Sequence, residues 1–388
     1  MKTYQKTHPW INFQINLKHA PAKLWIQLGE CQSKCEHIAR VPLRPKTAQD
    51  LYTLYLAKGV LATTAIEGNT LSEEEVLRHF EGKLKLPPSR QYLAREIDNI
   101  VKACNLILAD ISSGKPPRIT PDFVRSLNKM VIEGLEVEEG VIPGEIRSHR
   151  VGVGSYRGAP AQDCEYLLEK LCEWLSGDDF KPEPYLTAGT AILKSIIAHL
   201  YLAWIHPFGD GNGRTARLIE FTIMLSSGIP SVSTHILSNH YNQTRTEYYR
   251  QLDRSSKDGG DILSFILYAV QGLFDGLVEQ LDTIWEQQWD IAWRNYVHEL
   301  FKDKNSDSDT RRRHLVLDLS LRNEPVPLSK IPEISQRLMR SYTKKTTKTL
   351  TRDMNHLKKL DLIEHTSSGY RARKEQILTY LPPRIGRT

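Results

Sequence analysis

Two apolar-periodic segments, Leu193 to Trp204 and Leu218 to Met224, are separated by His206-Pro-Phe-Gly-Asp210-Gly-Asn-Gly-Arg214-Thr-Ala-Arg217. Glycines at 209, 211 and 213 break any continuous helix through this stretch and leave the backbone free for close approach. The chain must therefore fold here as helix, loop and helix. Successive N–H groups of the loop and the first turn of the following helix then converge on one point, a nest suited to an anion.

The side chains at this joint have complementary chemistry. His206 stands just ahead of the nest, placed to take a proton from an incoming hydroxyl. Asp210 offers a hard oxygen suited to Mg²⁺, which binds phosphates through one or two carboxylates. Arg214 and Arg217, three apart on the first turn of the second helix, present forked donors to phosphate oxygens. Phe208 reads as a buried anchor for the loop.

The stretch resembles the signature of the Fic family, His-x-Phe-x-Asp/Glu-Gly-Asn-Gly-Arg-x-x-Arg, and matches it at every specified position. The resemblance implies a mainly α fold, a helical core with a short β-hairpin flap. It also implies an enzyme that transfers AMP from ATP, with Mg²⁺, to a Ser, Thr or Tyr hydroxyl of a target protein and of itself. His206 would be the catalytic base and Asp210 the metal ligand. Gly211, Asn212, Gly213, Arg214 and Thr215 would surround the phosphates, with Arg217 on the γ-phosphate.

Three further stretches extend the resemblance to about residues 45–300. Ile146 to Gly154 resembles the flap that lies over the nucleotide and pairs with an extended target segment, bringing Val151, Gly152, Val153 and Gly154 to the site. Tyr248-Tyr249 resembles a tyrosine pair near the adenosine. Thr63-Thr-Ala-Ile-Glu67-Gly68-Asn69 resembles the inhibitory element Ser/Thr-x-x-x-Glu-Gly/Asn, in which Glu67 would pair with Arg217 and block a productive γ-phosphate. By electrostatics alone, a carboxylate on that guanidinium excludes phosphate by occupancy and repulsion.

Periodicity organises the rest into a region 1–47 whose details the sequence does not give, helical region 48–112, core 113–301, charged linker 302–309 and a C-terminal module 310–388. Helices are expected over about 48–66, 91–111, 163–175, 186–204, 216–226, 244–254, 261–270 and 272–301. Ser72 and Glu75 form a capping box, and Thr120 or Asp122 caps another helix. Glycines and β-branched residues between 140 and 154 suggest a hairpin.

The 388 residues carry a net charge of +6, but 18 lysines and arginines against 7 acidic residues lie from Thr310 onward, leaving the remainder acidic. The C-terminal module reads as three helices (313–321, one within 328–339, and 343–359) and a hairpin around Ser368-Gly369. It resembles a winged helix-turn-helix domain, and Lys345, Lys348, Arg352 and Asn355 are positioned to face DNA. Docking to a protein is the competing reading.

Apolar runs stay short of the roughly 18 residues of a membrane helix, and the N-terminal sequence lacks a signal peptide's apolar core. A cytoplasmic protein without membrane contact is expected. Cys31, Cys35 and His37 have no fourth metal ligand at a recognisable spacing, so the five cysteines read as reduced thiols. A homodimer restraining the inhibitory helix is a further expectation. Three other readings remain: a Fic-fold transferase with another nucleotide donor, removal of AMP from a modified target, and a DNA-binding regulator with secondary nucleotide chemistry.

Overall fold

A computed structural model describes residues 2–43, 45–154, 156–182, 184–257 and 259–378. The chain divides into two compact units, Met1–Leu281 and Asp282–Thr388, so the charged segment 302–309 falls within the second. Both are mainly helical.

In order, the first unit contains α1 (Tyr4–Thr7), α2 (Ala22–Arg40), α3 (Pro45–Ala65), α4 (Glu73–Phe80), α5 (Gln91–Ser112) and α6 (Pro121–Val131). A hairpin of β1 (Gly152–Val153) and β2 (Tyr156–Arg157) follows. Then come α7 (Ala161–Leu175), α8 (Thr187–Ile205), α9 (Asn212–Ser226), α10 (Ile236–Gln243) and α11 (Arg245–Lys257). The long α12 (Leu263–Leu300) runs past the division between the units.

The core is built on α8 and α9. Ile192, Ile196, Leu200, Tyr201 and Trp204 of α8 are buried, as are Ala216, Leu218, Ile219 and Met224 of α9. A helix that is apolar on all sides belongs in an interior. By length and composition α8 could cross a membrane, but 72% of its apolar window is covered by the rest of the fold. Helices α2 and α7 pack on α8, while α3, α5 and α6 pack on α9.

The capping box at Ser72 and Glu75 forms, and Thr120 caps α6 by accepting from the Phe123 N–H. Several boundaries differ from expectation. The region 1–47 contains a 19-residue helix, α2, whose Leu24, Leu28, Cys31, Cys35 and Ile38 form one buried stripe at four- and three-residue intervals. The hairpin lies further along the chain than 140–154: Gly152 pairs with Arg157 and Val153 with Tyr156. Helix α9 begins at Asn212, so the final part of the glycine loop is already helical. The segments expected at 261–270 and 272–301 are one helix, and α10 was not anticipated. All five cysteines are buried free thiols, and no cluster of three or more potential metal-binding side chains occurs among the described residues.

The second unit contains the C-terminal part of α12, then α13 (Asp307–Leu319), a 3₁₀ segment Leu328–Glu333, α14 (Gln336–Tyr342) and α15 (Thr347–Lys359). It ends in an antiparallel hairpin of β3 (Ile363–Thr366) and β4 (Gly369–Ala372), with Ile363 opposite Ala372 and Thr366 opposite Gly369. Val326 bridges to Tyr370 on the outer side of β4. A Cβ at Gly369 would come within 2.5 Å of Val326 backbone atoms, so this close approach requires glycine. Trp293, Phe301, Leu315, Leu319, Leu338, Met354 and Leu357 form the core. In the stretch 328–339, expected to contain the second helix, the chain first runs as the 3₁₀ segment that contains Pro332, which cannot donate within an α-helix, and is α-helical only from Gln336. Residues 379–388 of the expected module lie outside the described residues.

Candidate active site

His206 terminates α8 in the left-handed conformation (φ 50°, ψ 58°), with its N–H on the Leu202 carbonyl at 2.8 Å. Its Nδ1 lies 3.3 Å from the Ala203 carbonyl, which can only accept, so Nδ1 carries the proton and Nε2 keeps its lone pair. Burial depresses the imidazole pKa to about 4. The ring is therefore neutral near pH 7 and can receive a proton.

Arg147 fixes this turn, a role not anticipated from sequence. It is 5% exposed, and its guanidinium donates to the carbonyls of His206 (2.7 Å), His149 (2.6 Å) and Ala159. The Arg147 N–H donates to Pro207 O at 3.0 Å, and Ile146 bridges to Phe208, itself buried. Residues 146–147 thus lie along the motif backbone. The hairpin contributes Gly154 and Tyr156 to the cavity, while Val151 accepts the Gly158 N–H at its base and Gly152 pairs with Arg157. Val153 occupies the last position of β1.

The loop is closed internally. Asn212 both accepts from the Phe208 N–H (2.9 Å) and donates to the Phe208 carbonyl (2.8 Å). Gly211 has φ 77°, and a Cβ there would meet Ile132, Asn128 and Val131. Thr215 donates to Gly211 O at 2.8 Å and is buried. Fully buried Asn128 of α6 donates to Asp210 O and accepts from the Gly144 N–H. Asn212, Thr215 and Asn128 hold the loop rather than line the cavity.

Asp210 Oδ1 accepts from the Gly211 N–H and from Arg214. Its side chain is 43% exposed, and Oδ2 has no partner among the described residues. One carboxylate oxygen without a protein partner among the described residues, beside the Gly211 N–H and Arg214, fits a Mg²⁺ ion carried by phosphates. Arg214 also reaches Glu96 Oε1 at 3.3 Å, and Asn69 donates to Glu96 Oε2 at 2.8 Å. This chain from the Glu67 turn through α5 to the motif was also not anticipated. Burial raises the Glu96 pKa despite Asn69 and Arg214.

Arg217 is almost completely buried and donates to Thr63 O at 2.9 Å and to Glu67 Oε1 at 2.5 Å. Its Nε and Nη1, and Nε of Arg214, are buried without a hydrogen-bond partner. Burial works against ionisation of Glu67, but Arg217, with help from Arg214, holds its pKa below the usual value. Arg217 loses by burial and is raised overall by Glu67. A Cβ at Gly213 would lie 2.2 Å from Glu67 Oε1, so the carboxylate rests directly on the start of α9.

Glu67, His206, Gly213, Tyr248 and Tyr249 meet around one cavity of about 450 Å³, joined by Tyr156, Trp204 and Leu252. Tyr248 is buried, with its hydroxyl 2.9 Å from His199 Nε2 and its ring stacked on Tyr241. Tyr249 is half-buried and its hydroxyl reaches Ile66 O at 3.4 Å. A neutral base, aromatic walls and the carboxylates of Glu67 and Asp253 surround this one space, which is large enough for a small-molecule ligand.

The Fic/DOC family model matches residues 118–224, which hold the loop and both central helices. These residues form a Fic domain. The chain is 28% identical to the protein adenylyltransferase fic-1 of Caenorhabditis briggsae over 249 residues, covering 64% of this chain and 45% of that protein. It is 29% identical to the protein adenylyltransferase Fic of Nematostella vectensis over 209 residues, 54% of this chain and 45% of the relative. The chain thus spans under half the length of these relatives. A solved Fic family protein from Desulfovibrio desulfuricans shares the fold with a TM-score of 0.55 at 21% identity, over 90% of this chain and 95% of that one. Fic-1 of Caenorhabditis elegans, residues 134–508, matches with a TM-score of 0.55 at 24% identity, over 69% and 74% of the two chains. The Fic domain therefore lies on a scaffold that other Fic structures share.

Proposed function

We propose that this chain is a protein adenylyltransferase, transferring AMP from ATP to a hydroxyl of a target protein and of itself, and restrained by Glu67. The reading is supported above all by the neutral His206 on a cavity that also holds Gly213 and Glu67, the carboxylate paired with Arg217. The relatives' names point the same way.

In the reaction, the acceptor oxygen forms a bond to the α-phosphorus while the bond from that phosphorus to the bridging oxygen breaks. Pyrophosphate leaves, and the acceptor proton goes to His206 Nε2. The loop N–H groups and Arg214 hold the phosphates, and Arg217 takes the terminal one. Such preorganised donors supply most of the rate in this kind of transfer. The free oxygen of Asp210 would hold Mg²⁺, which supplies charge neutralisation when bound. Tyr248 and Tyr249 offer ring faces to the base. Edge pairing of a target segment with the β1–β2 hairpin would bring its hydroxyl to the phosphorus.

Glu67 occupies Arg217 and the start of α9 in the same space, so a fully seated triphosphate and Glu67 exclude each other. We read the second unit as a winged helix with β3–β4 as its wing, on the strength of its element order.

The test uses α-labelled ATP with Mg²⁺ and compares wild type, Glu67→Gly and Glu67→Gly/His206→Ala. Label on protein only in the single variant is expected. Nucleotide binding without label in any of the three would overturn AMP transfer.

A further inference from the structure

The pair of helices α8 and α9 has two ends, and only one carries His206 and the glycine loop. At the other, the start of α8 and the end of α9 border a second cavity of about 530 Å³, closed by the chain before α6 and the chain after α7. Lys194 in its wall lies about 18 Å along α8 from His206. Thr222 and Phe180 of the lining are buried, whereas Arg118, Pro116 and Thr187 are exposed, so the cavity opens to solvent.

Lys194 is half-buried and makes no hydrogen bond or ion pair with any described residue. Burial lowers its pKa, and no carboxylate offsets the lost hydration. Arg118, in the same wall, is likewise unpaired among the described residues. No carboxylate of the described residues lines the cavity: Asp178 pairs with Lys181, and Asp179 accepts from Trp174 Nε1. The two cations are left to an anion from outside. The hydroxyls have the opposite polarity. Thr190, Thr222, Ser176 and Ser227 each donate to a carbonyl one turn back in the chain, so toward a ligand their oxygens can only accept. The helix ends are already satisfied. Met224 O and Leu225 O of α9 are taken by the N–H groups of Ser227, Gly228 and Ile229, and Gln32 accepts from the Ala188 N–H of α8 at 3.1 Å.

We propose that this cavity binds a small phosphorylated polyol, with the phosphate on Lys194 and Arg118 and the hydroxyls of the ligand donating to the serine and threonine oxygens. The two sets of wall groups ask for both parts. Phosphate oxygens accept from an ammonium and a guanidinium. A bare inorganic anion would leave the row of hydroxyl acceptors unused, and so would a fatty carboxylate, which has no donors. Phe180, Pro117, Ile119 and Ile223 supply apolar surface for the C–H face of a sugar. The volume lies within the range of about 300–1,000 Å³ typical of small-molecule sites. The proposal is independent of AMP transfer, since no residue of this wall lines the His206 cavity.

The experiment titrates the full chain by calorimetry with glycerol 3-phosphate, ribose 5-phosphate and glucose 6-phosphate, and with inorganic phosphate for comparison. Saturable binding of at least one of the three sugar or polyol phosphates below about 10 mM is expected. Lys194→Met should weaken it by about ten-fold or more, the scale of one hydrogen bond to a charged group. A second readout uses the wild type alone: brief acylation with acetic anhydride at about pH 8, followed by peptide mass spectrometry. The bound ligand should slow modification of Lys194 and leave the exposed Lys115 unaffected. Should Lys194→Met fail to fold, this protection decides. No saturable binding of any of the three below about 10 mM overturns the proposal. Equal affinity for inorganic phosphate also overturns it, because the hydroxyl wall would then select nothing. Binding that leaves Lys194 unprotected does the same, and would place the ligand elsewhere, at the glycine loop.

Discussion

Glu67 Oε1 lies 2.5 Å from the guanidinium of Arg217, whose same nitrogen also holds the Thr63 carbonyl at the end of α3. Arg217 therefore ties down both the helix that carries Glu67 and the carboxylate itself. Replacing Glu67 with Gly leaves a buried cation short of its counter-charge. In the absence of nucleotide the variant should lose about 1.5–3 kcal/mol, the scale for a hydrogen bond to a charged group. ATP should stabilise it more than it stabilises wild type, because phosphate takes the vacated place. Thermal melts with and without ATP measure both effects. The Glu67 pKa is held down in the folded state, so its contribution is present above the ordinary carboxylate pKa and is lost as pH falls through the lower folded value.

His206 makes a prediction about pH. Its folded pKa is near 4, well below the ordinary histidine value, because burial disfavours the imidazolium. The base stays competent down to about pH 4–5, so the acid limb of kcat in Glu67→Gly should fall there and not near 6.5. Stability runs the other way. The unfolded chain protonates His206 more readily, so this residue costs stability progressively as pH falls from 6.5 toward 4. His206→Ala should remove that cost and lower the transfer rate by about 10²–10⁴-fold.

Gly213 tests whether phosphate and Glu67 share one place. A methyl group there would sit 2.2 Å from Glu67 Oε1 and 3.1 Å from Arg217 Nη1. In the Glu67→Gly background, Gly213→Ala should raise the dissociation constant for ATP by at least ten-fold, read by calorimetric titration. Unchanged affinity would mean that the phosphates do not approach the start of α9.

Asn69 fastens the turn after Glu67. Its side chain donates to Leu93 O and Glu96 and accepts from the Leu71 N–H, and it is 6% exposed. Asn69→Ala should cost about 1–3 kcal/mol for these bonds. It should also raise basal transfer with Glu67 intact, because the turn that aims the carboxylate is loosened. Melts and label incorporation measured together check both parts.

Much of this site can be read from sequence because its residues are consecutive. His206, Asp210, Arg214 and Arg217 lie within twelve positions, and the glycines between them restrict the backbone. Glu67 is 150 residues from Arg217, and only its resemblance to a known element pointed there. Arg147, Glu96 and Asn128 left no local pattern: each bonds backbone or charge remote from it in the sequence, and a lone Arg, Glu or Asn is common. Helix α2 was missed for a different reason. Prolines and aromatics before residue 22 obscured an apolar stripe that is regular from Leu24 to Ile38. The hairpin was expected too early because glycine and β-branched residues at 140–151 serve turns and the pairing of Ile146 with Phe208.

Asp353 is the most consequential buried charge of the second unit. Two guanidinium groups and the Tyr342 hydroxyl converge on it, across α13, α14 and α15. Burial, followed by the charge of Asp353, pushes the Tyr342 pKa above the ordinary phenol range, so the hydroxyl remains a donor throughout the physiological range. Asp353→Ala leaves Arg311 and Arg312 without their shared anion in a largely buried setting. Removing one partner of such a group costs about 3–5 kcal/mol, a large fraction of a small unit's stability. A melting transition assigned to the second unit should move down strongly, while the Glu67→Gly transition in the first unit should not change. Asp353→Asn keeps an acceptor and the shape but not the charge, and should recover only part of the loss. A full recovery would show that hydrogen bonding, not charge, joins the three helices.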